Sequence, residues 1–459
     1  MDKHVLWSLR LGFSSKQAAA IGKSGLNGFL QKSFESSVDR TLPNFLEDAP
    51  KSPQQVGDFI KLVKSLDPET ALAEKKKQSG KINDLRDWWL RKMISDDLPL
   101  REKMTCFWHN HYVASSIKIS VNYYVYVHNM TLRENAFGNF RTLTKQMLRT
   151  NALVNYLDNN DNRKGKINEN LSRELLELFT LGIGNYTEAD IKNGGKALAG
   201  LGPAEDGAIY HPKLEDNDPI TYLGKTGVFK ADDIVDIIFE QPQIPYFLTR
   251  KILKWFIYDI PDEKLVRYYG DYFRKVDFEI KPLLTKIFIE ESDKENAGSK
   301  IKNPLEFSLQ LLHEMHAEEI NLDLVSNFLK RQGMDLFAQP NVKGWDGGRA
   351  WLTSQILIER NQVADRLCSA KKINGQKIIK DEATAENATA LAIDWDRNGD
   401  NKDIIAGLCS RLFFHIDEKM QADFESLLKH DFDPQAKGAQ DAVLRLFNSM
   451  IKTPEFQLI

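Results

Sequence analysis

The stretch "DLPLREKMTCFWHNHY", residues 97–112, decides how the chain is read. Placed on a helix, Leu100, Met104, Phe107, Trp108 and His111 fall at i, i+4, i+7, i+8 and i+11, a single apolar stripe. Asp97 is a candidate cap and Pro99 fits the first turn. At roughly 100° per residue, His109 lies about 200° around the axis from His111. An intact helix therefore sends the two imidazoles to different faces. On an extended strand, or with the backbone broken at Asn110, the same H-x-H would be a pair of metal ligands.

The helical period continues on both sides. "DLRDWWLRKMIS" repeats Leu85, Trp88, Trp89 and Met93 at three-and-four spacing, and "DDIVDIIFE" and "LEFSLQLLHEM" do the same. The exception is "GLGPAEDGAIYHPKLEDNDPITYLGKTGV", residues 200–228, two extended pieces around an Asp/Asn/Pro loop, which predicts a hairpin between helices. The fold expected is mainly α: multi-helix, bundle-like lobes with one small β-hairpin insertion. Its segments are an N-terminal helical lobe, 1–200; the hairpin, 201–228; a second helical lobe, 229–370; a polar linker or insert, 371–403; and a C-terminal helical segment, 404–459.

With 459 residues the chain exceeds the usual size of one core, so more than one packed unit is expected. Lys and Arg number 62 against 65 Asp and Glu, a formal charge of -3, which supplies no global attraction to nucleic acid or an anionic membrane. No apolar run has the length of a membrane span. Cys106, Cys368 and Cys409 are too few and too scattered for a disulfide framework or a cysteine-based zinc site. The amino terminus lacks a continuous apolar core of signal-peptide length, which predicts a cytoplasmic protein or one exported without its own signal.

Chemistry-bearing residues concentrate in "NENLSRELLELFTLGIGNYTEADI". Glu174 and Glu177 share a helical stripe with Asn170 and Leu181, and Arg173 stands beside them. Such carboxylates one turn apart hold a hard metal ion, divide acid and base roles, or form a solvent stripe in which Arg173 neutralises Glu177. Gly182 and Gly184 end this helix, and Thr187 caps the next. Upstream, "DNNDNRKGKINE" echoes a calcium loop but has Arg163 at the glycine position, so it reads as a turn-rich Asx loop. "LGKTG" lacks the upstream glycine of a phosphate loop. In "PNVKGWDGGRAW", Trp345 and Trp351 would stack on a sugar if exposed and anchor the loop if packed, with Lys343 and Arg349 close by to hold an anion.

These stretches, in this order and joined by "WWLRKMI", "GNFRTL", "NPLE" and His211, closely resemble the bacterial family called domain of unknown function 1800. The resemblance implies that H-N-H, N-E-N-x-x-R-E-L-x-E-L-F-T-L-G and N-V-K-G-W belong to a family signature. Here these are His109, Asn110 and His111; Asn168, Glu169, Asn170, Arg173, Glu174 and Glu177; and Asn341, Lys343, Gly344 and Trp345. It also implies a partner, a sulfatase-like protein encoded nearby, and it carries no assigned reaction. Where relatives have H-D, this chain has His211 followed by Pro212.

Two function classes follow. One is a metal-dependent enzyme, hydrolytic or oxidative, with His109, His111, Glu169 and His211 holding a divalent zinc, manganese or iron ion. In it Glu174, Glu177, Arg173 and Lys343 are catalytic, and Trp345, Asn341 and Trp108 meet the substrate. The other is a non-catalytic helical partner or scaffold, or a carbohydrate-binding protein, whose His/Asn/Glu/Arg set is a buried network.

Overall fold

Residues 1–317, 320–369 and 393–459 are described by a computed structural model. In it Leu100–His111 is one helix, unbroken at Asn110 and buried on every side rather than along a single stripe. Its charged residues Arg101, Glu102 and Lys103 are each matched by a partner, as burial of charge requires. Glu102 accepts from the Arg133 guanidinium at 2.8 Å on each oxygen and from the Trp89 indole. Lys103 contacts Glu306 at 2.6 Å, and Lys300 contacts the other oxygen of that carboxylate at 2.6 Å. Arg101 donates to the Ser36 and Arg133 carbonyls. Asp97 does not cap this helix; it pairs with Lys16 at 2.8 Å, and Pro99 occupies the cap position.

Around this helix the chain is mainly α, with twenty α-helices among the described residues. One contiguous apolar core includes residues from Trp7 to Phe456 and takes members from the segments 1–200, 229–370 and 404–459. Long-range polar contacts cross the same segments, such as Arg10 to Asn296 and Arg360 to Gln457. The linker expected over 371–403 falls mostly outside the described residues; within them, Asp400 caps the Asn401–Leu412 helix.

The extended region forms two short antiparallel pairs in place of one hairpin: β1 (Leu201–Gly202) with β2 (Ile209–Tyr210), and β3 (Ile220–Tyr222) with β4 (Lys225–Gly227). Leu223 and Gly224 both take positive φ, as a two-residue turn matched to strand twist demands. "LGKTG" is thus a hairpin tip. No helix among the described residues is long and apolar enough to cross a membrane.

The glutamate-rich segment departs from the expected α-helix. Asn170–Glu174 is α-helical, but Leu175–Thr180 widens into a π-helix, and Leu181 and Gly182 both donate to the Leu176 carbonyl. Gly182 and Gly184 then turn the chain with positive φ, and Thr187 and Asp190 form the expected capping box. The Asx-rich loop before it builds structure: Asn159 and Asn162 are buried and donate to the Leu198, Leu201 and Gly195 carbonyls.

Candidate functional site

Because the Leu100–His111 helix is intact, its two histidines diverge. His109 is fully buried against Trp89, Phe337 and His128, and neither ring nitrogen has a hydrogen-bond partner. Burial, with the His128 and Arg133 charges, lowers its pKa far below the usual value. His111 points instead to the π-helix, where its Nε2 lies 3.0 Å from the Phe179 carbonyl. Its Nδ1 lies 3.2 Å from Lys251 Nζ, and Lys251 also donates to the Leu178 carbonyl at 3.0 Å. The last carbonyls of a helix lack intrahelical partners. Here an imidazole and a lysine supply them.

The other expected ligands lie elsewhere. His211 folds its ring over Gly202 of β1, within the region of the strands. Glu169 sits at the start of its helix, 3.5 Å from Arg173, in a separate open hollow with Asn168 and Asn170. Among the described residues no group of three or more His, Cys, Asp and Glu side chains is placed to hold a metal ion. The four expected ligands therefore do not converge, for the geometric reason that an unbroken helix separates the first two.

The expected catalytic pair is also rearranged. Arg173 binds Glu188 at 3.1 Å and Glu169, not Glu177, while Glu177 accepts from the Tyr186 hydroxyl at 2.8 Å. Glu174 is half-buried. Desolvation and the Glu177 charge raise its pKa, opposed by Arg173 and Lys343. Trp108 is a core residue that donates to the Ala136 carbonyl, and Asn341 is an exposed turn residue whose side chain accepts from the Lys343 backbone.

What the H-N-H and N-V-K-G-W stretches do share is one cleft of about 230 Å³. Asn110 and His111 enter it from the central helix, and Lys343, Trp345 and Asp346 from the N-V-K-G-W loop. Lys251, Lys254 and Trp255 come from the Ile244–Phe256 helix, and Asp259 and Lys300 follow it. Asn110 ties two walls together: its side-chain oxygen accepts from the Trp345 backbone N–H at 2.7 Å. Next to it Gly344 has φ of 85°, and a Cβ there would collide with Asn110. Gln339 adds a second tie, donating to the His109 carbonyl at 2.9 Å.

Donors outnumber acceptors in this cleft. Lys251, Lys254 and Lys343 have no carboxylate partner within ion-pair distance among the described residues, whereas Lys300 is neutralised by Glu306. Of the two carboxylates, Asp259 is engaged by the Ile301 N–H at 2.9 Å, and Asp346 is exposed. Trp255 and Trp345 line the cleft, and neither indole N–H has a partner. Desolvation, reinforced by the Lys254 charge, brings the Lys251 pKa down to about 7. Trp345 and Trp351 are only 4% and 6% exposed, so the loop is anchored and offers little ring surface to a sugar.

Sequence reasoning missed Lys251, Lys254 and Trp255. "IPYFLTRKILKWF" carries an ordinary amphipathic period, and nothing in its spacing marks Lys251 as the residue that meets His111. Neither a curated protein nor a solved structure matches the chain. A family model described as protein of unknown function (DUF1800) matches residues 4–458, and its coverage of nearly the whole length places the chain in that family.

Proposed function

We propose that this protein is an enzyme acting on a small anionic substrate in the cleft between the H-N-H helix and the N-V-K-G-W loop. The observation that carries this is the surplus of cations: Lys251, Lys254 and Lys343, with no carboxylate within ion-pair distance among the described residues, line one cavity. Anions complement such a surface through charge-assisted hydrogen bonds. Lys254 and Lys343 hold the anion, and Lys251 with His111 supplies a proton-transfer pair. This reading takes Lys343 and Trp345 from the family signature and sets aside an ion shared by His109 and His111, whose rings leave the helix in different directions.

The test is thermal stabilisation by sulfate, phosphate and short carboxylates, each compared with chloride at equal ionic strength. Wild type should gain melting temperature with at least one oxyanion, and Lys254→Met with Lys343→Met should lose that gain. A response no larger than that to chloride would overturn the proposal.

A further inference from the structure

The hydrogen bonds around Lys251 specify more than a positive charge. The Phe179 carbonyl can only accept, so His111 Nε2 carries the ring proton. In a neutral imidazole Nδ1 is then an acceptor, and burial, with the Lys251 charge, keeps His111 neutral by lowering its pKa far below the usual value. Lys251 Nζ therefore faces two acceptors, His111 Nδ1 at 3.2 Å and the Leu178 carbonyl at 3.0 Å. A neutral amine satisfies both with its two N–H bonds. Its fourth tetrahedral position, the lone pair, has no partner among the described residues, and the side chain lines the cleft. Lys254, three residues along the same helix, lines it too. A desolvated lysine beside a second cation is the arrangement that makes an amine nucleophilic at neutral pH.

Resting on the cleft as an anion site, we propose that Lys251 forms an imine with a 2-oxo acid whose carboxylate is held by Lys254 and Lys343. The Lys251 lone pair forms the N–C bond while the carbonyl π pair moves to oxygen. That oxygen takes the proton released by nitrogen, relayed by His111 Nδ1. The resulting hydroxyl then leaves as water, taking the nitrogen's second proton, and the nitrogen electron pair closes the C=N bond. The sum is amine plus ketone to imine plus water, with no change of oxidation state.

The full-length protein is incubated with pyruvate and sodium cyanoborohydride, and the reduced adduct is located by peptide mass mapping. One adduct on the Lys251 peptide is expected, absent in Lys251→Arg. Lys254→Met, which keeps the reactive amine, should trap more slowly near pH 7; a rise of one pKa unit would lower the amine fraction there about fivefold. Acetone, which lacks the carboxylate, should trap more slowly than pyruvate. Labelling spread evenly over surface lysines, or equal in wild type and Lys251→Arg, overturns the proposal. Calorimetric titration with pyruvate alone separates the two readings: binding without trapping sinks the imine only, and neither binding nor trapping sinks the anion cleft as well.

Discussion

Gly344 shows how closely single residues are specified here. Its φ of 85° disfavours any side chain, and a Cβ would meet the Asn110 side chain and carbonyl. Gly344→Ala should cost about 2 kcal/mol or more in denaturant unfolding and free the Trp345 loop, whereas Gly333→Ala, with equally positive φ but open space, should cost less. Lys251 gives a pH signature. Its folded pKa of about 7 lies below the unfolded lysine value near 10.4, so in that interval the unfolded chain holds a proton the folded one lacks. Stability contributed by this group therefore rises with pH from about 7 to 10, by at most about 1.4 kcal/mol per pH unit, and is flat below. Comparing wild type with Lys251→Met across that range by urea unfolding should show a steeper rise in the wild type, the remainder in the variant coming from the buried Lys103 and Lys302, whose pKa values are also lowered.

At the scale of elements, the Leu100–His111 helix is held by buried charge as much as by apolar packing. Glu306 receives both Lys103 and Lys300 at 2.6 Å, with all three side chains almost wholly buried. Glu306→Gln leaves two ammonium groups facing each other without a counter-charge, and about 3–5 kcal/mol of stability should be lost in equilibrium unfolding. Adding Lys103→Met should recover part of that loss, since it removes one of the stranded charges. The helix was legible from the 3.6-residue period of "DLPLREKMTCFWHNHY", but that period left open a break at Asn110 that would have let both histidines share one site. The burial of the helix on all sides was not legible, because Arg101, Glu102 and Lys103 look like a solvent face until Ser36, Arg133 and Glu306 arrive from distant sequence. The π-helix was equally hidden: Leu175–Thr180 has an ordinary apolar pattern, and the widening is visible only in which carbonyl each N–H reaches.

For the whole molecule, the mainly helical fold with a small extended region was readable from periodicity and turn residues. The cleft was not, since it is assembled by Asn110, Lys251 and Trp345, which periodicity cannot bring together. The molecule also carries three buried, neutral histidines. Burial lowers the pKa of His109 and His111 far below the ordinary value and that of His128 to about 4. Below the unfolded value near 6.5, each unfolded imidazole takes a proton that its folded counterpart refuses. Stability should therefore fall as pH drops from 6.5 toward 4, by up to about 4 kcal/mol per pH unit from three protons. Urea midpoints measured through that range check it, and in His128→Gln the slope should lose about one proton.

The π-helix has a further consequence, in terms of chain length. A π turn is an α-helix that has absorbed one extra residue, so removing a single residue from Leu175–Thr180 would let the segment close as regular α-helix. The Leu178 and Phe179 carbonyls would then rotate away from Lys251 and His111, whose hydrogen bonds they now receive. Substitutions on this segment are graded by packing, but its residue count works as an all-or-none register that sets whether the lysine and the histidine are aligned at all.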